Sequence, residues 1–265
     1  MSPPPRFEDL TETTGILLSA EGAAMMHTRY AVGRRLARDR RVLELGCGAG
    51  QGFGLVGGVA RRLVGGDYSA ALVHQGHAHY RGRYPFVRLS AEVLPFRDAS
   101  FDLVLFFEAT YYVPDMDAAF RELGRVTAPG CAVLFVNANP ERPDFIRSPY
   151  SVRYHTADEF RSALEGLGFR VTVEGAFPVD PPATGAAVRL RGAVVGLVRR
   201  VLEVLHLVPR TLRGRARLKR LVYGKLREVP PELPEAFAEE APPAAVPPGP
   251  VRGYKVLYVT ASRGA

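Results

Sequence analysis

The feature that most constrains the fold of this chain is the glycine-rich stretch RVLELGCGAGQGFG at residues 41–54. A short apolar run containing one acid, Glu44, is followed at once by a series of glycines. Glycine has no side chain, so a glycine-rich turn between a strand and a helix lets backbone N–H groups come close to a ligand. The stretch therefore predicts a strand, a ligand-binding loop and the start of a helix.

Two classes of cofactor use such a loop, and the spacing of the glycines separates them. A dinucleotide site has the pattern G-x-G-x-x-G directly after the first strand. Counted from Gly46, the third position of this pattern falls on Gln51, so the pattern fails there. A formal match at Gly52, Gly54 and Gly57 begins too far beyond the strand. The spacing therefore disfavours a nicotinamide dinucleotide.

Strand-like runs rich in Val, Leu and Phe alternate with helix-sized stretches along most of the chain. We predict strands at 41–45, 62–66, 86–89, 101–107, 131–137, 169–174 and 254–261, and helices at 21–38, 69–80, 115–126 and 157–166. Thr156 and Glu159 have the spacing of a capping box, which marks the start of the last of these helices. Such alternation predicts an α/β fold with a mostly parallel sheet covered by helices on both faces.

The loop also matches the pattern E-x-G-x-G-x-G, formed by Glu44, Gly46, Gly48 and Gly50, and here it resembles the first motif of the class I S-adenosylmethionine-dependent methyltransferases. Asp67 ends the second strand, where that family has the acid that binds both ribose hydroxyls. The segments RLSAEVLPFRDASFDLVLFFEATYYVPD and ELGRVTAPGCAVLFV resemble, in order and spacing, the family's adenine-side segment and its fourth and fifth strands. The resemblance implies a Rossmann-like sheet of seven strands with the last one antiparallel, and S-adenosylmethionine as the cofactor.

The resemblance also implies a set of cofactor contacts. They are Tyr30, Glu44, Gly46, Cys47, Gly48, Asp67, Tyr68, Ser90, Ala91, Glu92 and Phe107. Ser90 stands where the family commonly has an acid that binds the adenine amino group, so this contact is expected from Glu92, from the backbone of Ala91, or from neither. By analogy with related enzymes, Tyr30 and residues 11–15 are expected to cover the cofactor.

The acceptor side is expected in the loops that follow the fourth and fifth strands, because the fold opens at the carboxyl ends of its strands. Our candidates for catalytic residues are Glu108, Tyr111, Tyr112 and His155. His155 is the only histidine in these loops and histidine titrates near neutral pH, but simple packing beside the helix cap is the alternative. The two cysteines, Cys47 and Cys131, form no metal-ligand pattern, so no metal site is predicted.

The positive charge of the chain is concentrated before the last strand. The formal net charge is +8, and residues 189–227 contain twelve Lys or Arg and a single acid. We therefore predict a domain of residues 1–180 and 251–265, interrupted at 181–250 by a basic helical insertion and a proline-rich linker. Three interpretations of the basic segment stay open: a lid that recognises a phosphate or carboxylate, an RNA-binding patch, and a solvated face without a partner. No apolar stretch is long enough to cross a bilayer.

Taken together, these features predict methyl transfer from S-adenosylmethionine to an oxygen or nitrogen of a small, anionic acceptor, such as a metabolite, a sugar or a lipid-linked compound. One alternative is an RNA methyltransferase that uses the basic insertion. Another is a non-catalytic cofactor-binding or membrane-peripheral module. We expect a cytoplasmic protein, because no signal-peptide pattern is visible and the cysteines fit a reducing compartment. The sequence does not indicate the oligomeric state.

Overall fold

A central sheet with helices on both faces forms the core of this protein. The computed structural model describes residues 12–148, 150–179 and 226–264. The strands are β1 (Leu17–Leu18), β2 (Arg41–Leu45), β3 (Arg62–Asp67), β4 (Phe86–Arg88), β5 (Phe101–Phe107), β6 (Thr127–Ala138), β7 (Arg170–Pro178), β8 (Arg227–Glu228), β9 (Ala244–Ala245) and β10 (Tyr254–Ser262). The helices are α1 (Ala20–Ala37), α2 (Phe53–Gly57), α3 (Ala70–Tyr80), α4 (Met116–Val126) and α5 (Ala157–Glu165), with a turn of 3₁₀ helix at Thr110–Tyr112.

The central sheet has the strand order β4-β3-β2-β5-β6-β10-β7-β9. Strands β2 to β6 pair in parallel, and β10 lies antiparallel between β6 and β7, which confirms the predicted antiparallel last strand. The prediction of seven strands was wrong by one, because the two-residue strand β9 pairs with β7 at the edge of the sheet. A strand of two residues is too short to show an alternating pattern in the sequence. The prolines on either side of β9 are compatible with its position, because proline is tolerated in edge strands.

The two faces of the sheet are covered by different helices. Along β2, Val42 packs in a core cluster with α1, α2 and α3, whereas Leu43 and Leu45 pack in a second cluster with α4 and α5. Successive side chains of a strand point to opposite faces, so burial on both sides produces the continuous apolar run seen in the sequence. The capping box predicted at the start of α5 is present, with Thr156 and Glu159 each accepting from the other's backbone N–H.

The strand order makes β2 and β5 neighbours near the middle of the sheet. From β2 the chain moves outward through β3 to β4, then returns to β5 on the other side of β2 and continues to β6. The carboxyl ends of β2 and β5 are therefore a topological switch point, where open α/β sheets bind their ligands. The loops that follow β2, β3, β4, β5 and β6 all begin at this carboxyl edge.

Residues 226–250 pack against the domain. Val229, Leu233 and Phe237 are buried in the same cluster as α1, and the Leu233 N–H donates to the Gln51 carbonyl at 2.7 Å. Strand β8 also pairs with β1. The prediction of an extended linker did not anticipate this packing, because isolated apolar residues between prolines and acids show no periodicity. The predicted basic helical insertion falls largely on residues 180–225, which lie outside the described residues, so it stays a prediction. Over the ranges described, no helix combines the length and apolarity needed to span a membrane.

Candidate cofactor and acceptor site

A cavity of about 680 Å³ opens at the carboxyl edge of the sheet, at the switch point. Its wall is formed by α1, by the loops after β2 to β6 and by the start of β10. Thirteen of the fifteen residues predicted from the sequence lie in this wall. They are Tyr30, Gly46, Cys47, Gly48, Asp67, Tyr68, Ser90, Ala91, Glu92, Phe107, Glu108, Tyr111 and Tyr112. The wall does not include Glu44 or His155.

The glycine loop requires glycine for two reasons. Gly46, Gly48 and Gly50 have φ angles of +65°, +57° and +82°, in the left-handed region that side chains disfavour. At Gly46 a Cβ atom would also lie 2.5 Å from the Cβ of Ala109, at the end of β5. The loop therefore lies directly against the neighbouring strand end, and its backbone at Gly46 and Gly48 forms part of the cavity wall.

Asp67 joins two of the loops that form the wall. One carboxylate oxygen accepts from the Gly48 N–H and the other from the Ser69 N–H, both at 2.8 Å. Each carboxylate oxygen has two lone pairs, so these bonds leave capacity to accept from hydroxyl groups as well. The geometry is compatible with a carboxylate that binds a ribose while holding the glycine loop in place.

Glu44 is not among the residues that line the cavity, and its contact with the cofactor stays a prediction. Its side chain is buried, and the Tyr30 hydroxyl donates to its Oε1 at 2.9 Å. Burial raises the pKa of Glu44 to about 8. The Tyr30 ring lies edge-on to Phe107, with ring centroids 5.4 Å apart, and contacts Gly52 so closely that a Cβ there would be 2.0 Å from the ring. Glu44 thus positions Tyr30, and Tyr30 forms the wall.

Two buried donors in the wall were missed by the sequence analysis. Arg29 on α1 donates through Nη2 to Glu12, while its Nε has no partner among the described residues. The Nε2 atom of buried Gln51 also has no partner within that part of the chain. A buried donor without a partner is costly unless a ligand completes it. A single arginine in a helix has no distinguishing sequence pattern; Gln51, at least, could have been suspected from its place inside the loop.

In the predicted adenine-side segment, Ser90 is hydrogen-bonded to Glu92. The Ser90 hydroxyl donates to Glu92 at 2.9 Å, and the other oxygen of Glu92 accepts from the Asp115 N–H at 2.8 Å. The carboxylate at this end of the cavity therefore belongs to Glu92, and Ala91 lies beside it in the wall.

Glu108 holds a strained position at the end of β5. Its φ angle is +48°, which is uncommon for a residue other than glycine. Its Oε2 accepts from the Tyr111 hydroxyl at 3.0 Å and from the Ala138 N–H at 3.3 Å. Desolvation raises the pKa of this carboxyl, and the charge of Arg29 opposes the rise. Backbone strain of this kind concentrates at functional sites.

Tyr111 and Tyr112, in the loop after β5, contact the loop after β6. The Tyr112 and Ser148 hydroxyls are hydrogen-bonded at 2.5 Å, and the Tyr111 carbonyl accepts from the Val152 N–H at 2.7 Å. The Tyr111 ring stacks on Tyr154 with centroids 4.3 Å apart. Both predicted tyrosines therefore lie in the wall, and each hydroxyl already has a protein partner.

Two basic side chains, each in an ion pair, lie in the cavity wall together with apolar side chains. Arg142 and Lys255 lie in the wall, and their carboxylate partners are Asp144 at 3.6 Å and Glu21 at 2.7 Å. Apolar side chains lie in the same wall: Met25, Val152 and Val256. A wall with basic and apolar side chains suits a molecule that has an anionic group and an apolar body.

His155 is not among the residues that line the cavity, and its selection as a catalytic candidate stays a prediction. Its ring packs against Phe120 and Phe160, with centroid distances of 6.2 and 5.5 Å. Burial lowers the pKa of His155, and the charge of Arg153 lowers it further. The packing alternative considered for this histidine is the arrangement found.

These features fit S-adenosylmethionine. Asp67 can accept from the ribose hydroxyls, the glycine loop offers backbone at the next part of the cavity, and the unpartnered donors of Arg29 and Gln51 suit the polar groups of an amino-acid moiety. The glycine loop at the switch point and the acid at the end of the adjacent strand are the features by which this site resembles that of the class I S-adenosylmethionine-dependent methyltransferases.

Comparison with known proteins agrees with this class. Residues 43–135 match the model of the methyltransferase domain family. The chain is 38% identical over 141 residues to a "probable S-adenosylmethionine-dependent methyltransferase" of Mycolicibacterium smegmatis, covering 50% of this chain and 52% of that protein. It is 33% identical over 173 residues to a malonyl-[acyl-carrier protein] O-methyltransferase of Halorhodospira halophila, covering 63% and 57% of the two chains.

The chain thus spans only about half the length of the curated relatives it matches. Among solved structures, the YcgJ protein from Bacillus subtilis superposes with a TM-score of 0.57 at 18% identity, covering 90% of this chain and 99% of that one. At this identity the likeness concerns the fold alone.

Proposed function

We propose that the protein transfers the methyl group of S-adenosylmethionine to an oxygen of a small anionic acceptor, and that this acceptor is a carboxylate attached to an apolar body. The observation that carries the proposal is the combination of Arg142 and Lys255 with apolar side chains in the wall of the cavity. The named activity of the Halorhodospira relative, O-methylation of a malonyl group, supports an oxygen acceptor.

A carboxylate acceptor also suits the hydrogen bonding of the site. A hydroxyl nucleophile benefits from a general base that removes its proton, whereas a carboxylate is already ionised at neutral pH. The hydroxyls of Tyr111 and Tyr112 are engaged with Glu108 and Ser148, so neither is directed at an acceptor as a base. The site then needs to do little beyond positioning the carboxylate and excluding water.

Each group of residues has a role in this proposal. S-adenosylmethionine supplies a methyl group that its sulfonium has already activated. Asp67 accepts from the ribose hydroxyls, and Arg29, next to Glu108 at the methionine end, binds the cofactor's carboxylate. Arg142 and Lys255 attract the acceptor's carboxylate and orient it. Tyr111 and Tyr112 form part of the cavity wall.

The binding of the cofactor is tested by replacing Asp67 with Asn, which keeps the shape of the side chain and removes its charge. The affinity for S-adenosylhomocysteine, measured by calorimetry, should fall by about 1.5–3 kcal/mol, as expected for a hydrogen bond to a charged acceptor. The circular dichroism spectrum should be retained. An unchanged affinity would overturn the ribose assignment.

The chemical class of the acceptor is tested with fatty acids of several chain lengths and with alcohols and amines of the same lengths. The proposal expects methyl esters of the acids, detected by mass spectrometry. Lys255→Gln should raise KM for the acid about tenfold or more, because a charge-assisted contact is lost. Arg61→Gln, an exposed arginine in the loop before β3, is the matched control and should leave KM unchanged.

Three results would contradict the proposal. They are methylation of the amines alone, an equal KM in the Lys255→Gln variant, and methylation of RNA with an affinity that falls steeply with salt. The last result would support the alternative predicted from the basic segment.

A further inference from the structure

Exposed apolar side chains are concentrated around the mouth of the cavity. In the part of the chain that the structure describes, the exposed large apolar residues are Tyr68, Val93, Ile146, Tyr150 and Val152, with exposed fractions of 61, 73, 56, 64 and 50%. They come from the three loops that follow β3, β4 and β6. All three loops begin at the carboxyl edge of the sheet. We call these five residues the apolar rim.

The position of the apolar rim is unusual. Single exposed apolar residues scattered over a surface are normal and need no explanation. Here Tyr68, Tyr150 and Val152 also form part of the cavity wall, and Val93 and Ile146 lie within two residues of Glu92 and Ser148, which line it. Such a concentration marks a surface that contacts a partner.

Exposed arginines lie beside the apolar rim. The Arg88 Nε donates to the Tyr68 carbonyl at 3.3 Å, and the Arg147 Nη2 donates to the Val152 carbonyl at 2.9 Å. No carboxylate of the described residues forms a salt bridge with Arg88 or Arg147. Their charges therefore stay available at the surface while their backbone contacts hold them next to the rim.

The carboxylates near the mouth are, in contrast, already engaged. Glu92 accepts from the Ser90 hydroxyl and the Asp115 N–H, and Asp144 lies 3.6 Å from the Arg142 guanidinium. Arg88 and Arg147 thus place two positive charges beside the apolar rim. Apolar side chains among basic ones are the chemistry that binds the interface of an anionic bilayer, where acyl chains lie beneath phosphate headgroups.

We propose that the apolar rim is a docking surface for an anionic lipid bilayer. The rim residues enter the boundary between headgroups and acyl chains, and Arg88 and Arg147 contact the headgroup phosphates. The cavity mouth then faces the membrane. This inference does not depend on the acceptor proposed above, because it concerns binding to vesicles rather than methyl transfer.

The absence of tryptophan from the chain permits a direct test. Ile146→Trp places a sole tryptophan in the rim, and Ala78→Trp places one at an exposed site in the last turn of α3, which runs back toward the opposite edge of the sheet. Each variant is mixed with vesicles of phosphatidylcholine alone or with phosphatidylglycerol, containing brominated acyl chains that quench tryptophan at the depth of the bromine.

The proposal expects a blue shift and quenching for the Ile146→Trp variant with the anionic vesicles, and neither for Ala78→Trp. Basic residues elsewhere in the chain could attract both variants to anionic vesicles by charge alone, and that result, with no selective quenching at position 146, would overturn the proposal. So would a response of the Ile146→Trp variant to an acidic acyl-carrier protein but not to vesicles, because the partner would then be a protein.

A second variant tests the rim by loss of binding. Val93→Ser combined with Ile146→Ser changes two rim residues that do not line the cavity. Sedimentation with anionic vesicles should fall at least several-fold, while the affinity for S-adenosylhomocysteine should remain that of the unaltered protein. Equal sedimentation of the double variant and the unaltered protein would overturn the proposal.

Discussion

Glu44 should make the stability of this protein fall as the pH rises through neutrality. Its carboxyl is 1% exposed, and its second oxygen has no hydrogen-bond partner among the described residues. Burial raises its pKa from the ordinary value of 4.5 to about 8, although the Tyr30 hydroxyl and the charge of Arg29 both act to lower it. Asp67 raises it further. The native protein therefore keeps the proton on Glu44 over a pH range in which the unfolded chain loses it.

The sign and size of the effect follow from this difference in proton binding. Between the unfolded and the folded pKa the native state binds more protons, so stability is fully present below about pH 4.5 and is lost as the pH approaches about 8. One pKa unit corresponds to about 1.4 kcal/mol, so the loss between pH 5 and pH 8 is about 3–4 kcal/mol. Glu44→Gln keeps the shape of the side chain but cannot ionise, so the variant should lack this loss.

The measurement is urea unfolding of the unaltered protein and of Glu44→Gln at several values between pH 5 and pH 8. The variant should gain about 3–4 kcal/mol relative to the unaltered protein across that range. Glu159→Gln is the matched control: its pKa is lowered, first by the Thr156 N–H, so its ionisation contributes a constant amount above pH 5. A difference between Glu44→Gln and the unaltered protein that does not change with pH would refute the reasoning.

Two further predictions concern Gly52 and His155. Gly52→Ala should lower the free energy of unfolding by about 2–4 kcal/mol, because the added Cβ would displace the Tyr30 ring. The control is Gly253→Ala, which has nothing within 4 Å of the added Cβ and should lower the free energy of unfolding far less. Equal losses of the two variants in urea unfolding would contradict the packing argument. His155→Gln should leave the pH profile of kcat/KM unchanged because the ring packs outside the cavity, and the loss of one limb of that profile would return His155 to the reaction.

The strands and most of the cofactor half of the site could be predicted from the sequence because their signals are local. Apolar runs between turns mark the strands of a sheet buried on both faces, and the left-handed turns after β2 require the glycines that the pattern displays. Asp67 was predictable for the same reason: it ends a strand at a fixed distance from that loop. The thirteen predicted residues that lie in the wall come mostly from these strand ends.

Other residues of the cavity wall are placed by contacts between distant parts of the chain. Arg29 lies on a helix whose sequence does not distinguish it from a solvated arginine, yet it is buried in the cavity wall. Lys255 reaches the same cavity only because β10 inserts between β6 and β7. Neither placement leaves a periodic or spacing signal that sequence reasoning could use.

The amino-acid sequence by itself determined the order of the strands along the chain, the glycine loop and the acid at the next strand end, since each follows from backbone preferences and burial over a few residues. The tertiary structure decided which side chains reach the cavity. It placed Glu44 beside Tyr30, packed the His155 ring against Phe160, and packed Leu233 of the proline-rich segment against the domain. These outcomes depend on how separate elements fill space against one another, and close packing is a property of the assembled core rather than of any local stretch.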